Sequence, residues 1–89
     1  MADQVRSQMY NSMWKLRRDA WSDLEETSSQ GADLIEQGRP ADATIPKIGS
    51  LLAMLGPFEW YWGFPGRRRF EEVQQLFAAG HIQRGARLV

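Results

Sequence analysis

Cysteine is absent from this 89-residue chain, so neither a disulfide nor a thiolate metal site can brace it. The absence fits a reducing compartment and points to a cytoplasmic location. Histidine occurs once, at His81, which excludes a histidine-based metal set. Net charge is also missing, because eleven Lys+Arg balance eleven Asp+Glu. A strongly basic surface, the footprint of nucleic-acid binding, is therefore not expected. No apolar run approaches the roughly 18 residues needed to cross a bilayer. The first residues, MADQVRSQ, hold no apolar core of the signal-peptide kind. A single soluble domain spanning 1–89 is the expectation. A domain of this size buries only about 60–65% of its unfolded surface and often gains stability by associating.

The balanced charge is segregated along the chain. Residues 1–18 carry +3, from Arg6, Lys15, Arg17 and Arg18 against Asp3. Residues 19–36 carry −6, from Asp19, Asp23, Glu25, Glu26, Asp33 and Glu36. Residues 37–70 return to +3, mainly through Arg67, Arg68 and Arg69. Such alternation either solvates helix faces or steers docking with a complementary partner.

The hydrophobic pattern is helical. Val5, Met9, Met13, Leu16, Ala20 and Leu24 recur at three- and four-residue intervals and predict a long helix over about 3–28 with that stripe buried. Asp3 is its expected N-cap. Thr27, Ser28, Ser29 and Gly31 are expected to end or kink it, with a short second helix over 32–37 stopped by Gly38. Thr44 is the expected cap of another helix, with Pro46 in its first turn and Ile45, Ile48, Leu51, Leu52 and Leu55 facing inward. Gly56-Pro57 ends it, and residues 56–66 (GPFEWYWGFPG) read as an ordered aromatic loop. A helix over about 67–79 follows, with Phe70, Val73, Leu76 and Phe77 inward and Gly80 as its stop. Residues 81–89 open one more short helix anchored by Ile82 and Leu88. The fold class is all-α: a small bundle of four or five helices with an ordered aromatic Gly/Pro loop.

Few residues can carry chemistry. His81 has no nucleophile or carboxylate motif beside it, so no catalytic residue is assigned. Glu25-Glu26 and Glu71-Glu72 are adjacent pairs whose members diverge by about 100° on a helix, so no metal set forms from them. No cofactor is expected. Gly63-Phe64-Pro65-Gly66 precedes a helix start, and Arg67, Arg68 and Arg69 follow at once, which makes this the candidate anion site. The other unusual feature is five rings within seven residues: Phe58, Trp60, Tyr61, Trp62 and Phe64. Each ring can bury about 150–250 Å². The rings can close the chain's own core, form a protein–protein hot spot, or meet sugars, bases or a membrane interface.

The stretch GPFEWYWGFPGRRRFEEVQQLFAAG resembles the N-terminal region of bacterial pyridoxal-phosphate-dependent decarboxylases of the ornithine/lysine/arginine type. The matching residues are Tyr61, Trp62, Phe64, Pro65, Gly66, Leu76, Phe77 and Gly80, within residues 45–89. That family holds its cofactor on a lysine in a Ser-x-His-Lys context. Neither Lys15 nor Lys47 has that context, so no catalytic residue carries over. The resemblance implies a lead-in arm or small subunit whose rings pack on a catalytic body. The expected function is a non-catalytic assembly or docking module, its partner another protein chain or another copy of itself. Two alternatives stand beside it: a small ligand-binding module built on the Trp-rich loop, and an oligomeric enzyme with a composite site around His81, the arginines and the rings.

Overall fold

The computed structural model describes residues 2–89 and, among them, contains four helices and no strand. Helix α1 spans Ala2–Glu36, α2 Thr44–Trp60, α3 Arg67–Ala78 and α4 Ile82–Leu88. Helices α2 and α4 pack on α1. Helix α3 packs on α2 and α4, and reaches α1 through Phe70, whose ring meets that of Trp21 edge-on. The core is built from Ala20, Trp21, Leu24, Ile48, Leu51, Leu55, Phe70 and Val73. Each of α1, α2 and α3 supplies part of it at helical spacing, which is the pattern an all-α bundle requires.

Helix α1 is longer than expected. The predicted break at 27–31 does not occur, and the predicted short helix over 32–37 is its final turns. The small residues there serve packing. Thr27 and Ser28 are buried, and the Ser28 hydroxyl donates to the Leu24 carbonyl one turn back. Gly31 lies so close to α2 and α4 that a Cβ would stand 2.8 Å from Thr44 Oγ1 and 3.2 Å from Ile82. Asp3 falls in the first turn rather than at an N-cap.

The ends of two helices follow one rule. Gly38 and Gly80 have φ of 70° and 81°. Arg39 N–H donates to Leu34 and Gly38 N–H to Ile35; His81 N–H donates to Leu76 and Gly80 N–H to Phe77. Both are Schellman caps, with glycine at the left-handed position. Helix α3 therefore stops at Ala78, one residue short of the expected end. Thr44 is not the cap of α2: it is the first helical residue, and its hydroxyl donates back to the Ala41 carbonyl.

The aromatic loop is shorter than 56–66. Helix α2 runs through Gly56-Pro57 and ends at Trp60, leaving 61–66 as the irregular connection. The steric conflict that disfavours helix before proline involves the preceding residue's Cβ as well as its backbone N–H. Gly56 has no Cβ. Pro57 then accepts at its carbonyl from the N–H groups of Tyr61 and Trp62, which closes the helix end.

The stripe read on α1 divides in two. Ala20 and Leu24 are buried, while Val5, Met9 and Leu16 are more than half exposed and Met13 is partly so. The cause is length. The 35 residues of α1 outrun the helices of 17, 12 and 7 residues that cover it, and the N-terminal turns project along a body 56 Å long and 19 Å wide. Leu16→Ala at dilute protein concentration is therefore expected to change stability by less than about 0.5 kcal/mol. Thermal melts followed by circular dichroism check this; a Leu16→Ala melt depressed as far as that of Leu24→Ala would place Leu16 in the core after all.

Candidate functional site

The chemistry-bearing residues collect where the C-terminal end of α2 meets the middle of α1. Glu59 lies inside the aromatic run, on the last turn of α2, and its side chain is fully buried. Its Oε1 accepts from Arg17 Nε at 2.5 Å and from the Trp21 indole N–H at 3.1 Å. The other end of the Arg17 guanidinium donates to the Pro65 carbonyl. One arginine thus ties α1 to both the end of α2 and the loop that follows it. Glu59 Oε2 has no hydrogen-bond partner and stands beside Gly66, the residue preceding α3. The carboxylate therefore lies at the positive end of the α3 dipole.

That arrangement bears on the candidate anion site. A negative group of the chain itself already stands beside the residue that precedes α3. The three arginines have different partners: Arg67 stacks on Trp60 at 3.8 Å and pairs with Glu71 at 3.6 Å, Arg69 covers Trp21 at 4.5 Å, and Arg68 is exposed.

The five rings of the aromatic run divide two and three. Phe58 and Phe64 are buried, and Phe64 packs against Tyr10 and Trp14 of α1 and against Phe58. Trp60, Tyr61 and Trp62 face outward, Tyr61 with 84% of its surface exposed. Trp62 is pinned edge-on against Phe58 and walls a shallow apolar groove of about 410 Å³ whose floor is Val5, Met9 and Met13 of α1. Trp62 and the uncovered N-terminal stripe are therefore continuous.

Two residues central to this end were not singled out from sequence, Arg17 and Glu59. The signal was an acid placed among rings in Phe58-Glu59-Trp60, where burial would demand a cation. His81 is exposed just ahead of α4 and shares a surface depression with Glu72 and Leu88. Among the described residues no group of His, Asp and Glu stands together as metal ligands, and no helix is long and apolar enough to cross a membrane. Set against known protein families, characterised proteins and solved structures, the chain gives no match.

Proposed function

We propose that this chain is a non-catalytic docking or assembly module whose working surface is the end formed by Trp60, Tyr61, Trp62 and the N-terminal turns of α1. The observation that carries this reading is the open apolar groove that Trp62 forms with Val5, Met9 and Met13, beside the exposed Leu16 and Tyr61. Large apolar side chains left together on a small surface mark an interaction site. Trp62 is held by Phe58 and by the short loop after α2, so little conformational freedom is lost when a partner covers it. Arg67 over Trp60 adds a charged rim.

In its most specific form the module is the lead-in arm or small subunit of a cytoplasmic pyridoxal-phosphate-dependent decarboxylase. The resemblance of residues 45–89 favours that form, and the cofactor would then belong to the partner chain. Trp62→Ala should cost at least about 2 kcal/mol of association, as hot-spot tryptophans do, with little loss of folding stability. Sedimentation velocity of the chain, alone and with the products of adjacent reading frames, measures the association; thermal melts measure the folding. Association unchanged in both Trp60→Ala and Trp62→Ala would remove the docking reading. A complex lacking the cofactor's visible absorbance would remove the decarboxylase form.

A further inference from the structure

We infer that the partner covering the N-terminal stripe is a second copy of this chain, paired antiparallel along the first five turns of α1. The inference rests on the docking reading and names its occupant.

Three observations carry it. The first is spacing. Val5, Met9, Met13 and Leu16 are separated by four, four and three residues, which reads almost the same in either direction. A two-fold axis between Tyr10 and Asn11 sets Val5 level with the second Leu16 and interleaves the methionines. A two-fold interface requires such self-complementarity.

The second is charge. The +3 of residues 1–18 would oppose self-pairing if it were all free. Arg17, however, is neutralised by the buried Glu59. Over residues 1–18 the remaining charges are Asp3 against Arg6, Lys15 and Arg18, which lowers the balance to +2. The repulsion left between two such faces is that of exposed charges, which physiological salt screens within about 8 Å.

The third is area. Val5, Met9, Leu16, Tyr61 and Trp62 are each more than half exposed. Complete burial of these side chains in both copies would give at most about 1,200 Å², the lower bound for a specific interface. The surface is therefore large enough for a reversible dimer, and a larger partner is not needed to cover it.

The test uses the whole chain. Sedimentation equilibrium should show a monomer–dimer exchange that Met9→Glu weakens about 100-fold or more, because it sets two acids within one helical turn of each other in the apolar seam. Met9 is exposed, so the thermal melt of the dilute variant should match that of the parent. Orientation is read by cross-linking, since the chain has no cysteine of its own. Val5→Cys and Leu16→Cys chains, mixed and mildly oxidised, should give chiefly the mixed disulfide. Disulfides joining like positions instead would mean parallel pairing and overturn the inference. A chain that stays monomeric at every concentration also overturns it. If that monomer still binds a different chain through Trp62, the docking reading survives alone; if it binds none, both fall.

Discussion

Arg17→Met is expected to cost about 3–5 kcal/mol, the penalty for stranding a buried carboxylate. The total stability of a domain this size is comparable, so much of the protein should be unfolded at room temperature. The charge at risk is Glu59, whose side chain is fully enclosed, while Arg17 itself is 14% exposed. Removing the guanidinium leaves Oε1 with only the Trp21 N–H and Oε2 with nothing. It also frees the Pro65 carbonyl, so the loop between α2 and α3 loses its tie to α1. The double variant Arg17→Met/Glu59→Gln separates the causes. A glutamine can still accept from Trp21 but brings no buried charge, so the double variant should recover at least half of the loss. Urea unfolding of the three variants gives the coupling. A double variant as unstable as Arg17→Met would mean that most of the loss comes from the loop tie and not from the buried charge.

Gly66→Ala should cost about 3 kcal/mol or more, for two independent reasons. Gly66 has φ of 142°, a conformation closed to residues with a Cβ, and forcing it there costs about 1–3 kcal/mol. The added methyl would also stand 2.8 Å from Arg17 Nη2 and 2.9 Å from Glu59 Oε2. Neither group can retreat without disturbing the Arg17–Glu59 pair. The variant should melt well below the parent by circular dichroism. It should also lose more stability in the Glu59-containing background than in Glu59→Gln, where the pair is already weakened. Equal losses in the two backgrounds would leave backbone strain as the sole cause.

The helical class and most of the core were legible because periodicity reports faces directly. Leu24, Ile48, Leu51, Leu55, Phe70 and Val73 are buried on the faces that their spacing predicts. What periodicity does not report is how far a neighbouring helix extends. Val5, Met9 and Leu16 continue the stripe of Leu24, yet nothing in α2, α3 or α4 reaches them, so a pattern that meant core in one half of α1 means surface in the other. Local breaker rules failed where tertiary packing gave the breaker another use. Gly31 admits α2 and α4 to close approach, and Gly56 removes the Cβ that would have conflicted with Pro57. Within the candidate site the rings were visible as composition, but their division was not. The two inward rings, Phe58 and Phe64, flank Glu59 and Pro65, which Arg17 holds from a helix more than forty residues away in sequence.

The charge order along α1 has a further consequence for how the molecule behaves before any contact is made. The basic residues occupy the N-terminal half and the acidic residues, Asp3 excepted, the C-terminal half, in the same sense as the backbone's own polarity from N–H to C=O. Side chains and peptide groups therefore add to a single permanent electric moment along the 56 Å axis. A lone copy near an anionic object turns its N-terminal tip forward, and at physiological salt it does so only within about 8 Å of contact. Two copies related by a two-fold axis cancel that long-axis moment by symmetry. Dimerisation would thus convert a rod that reorients in a field into one that does not, a difference dielectric relaxation reads without a label.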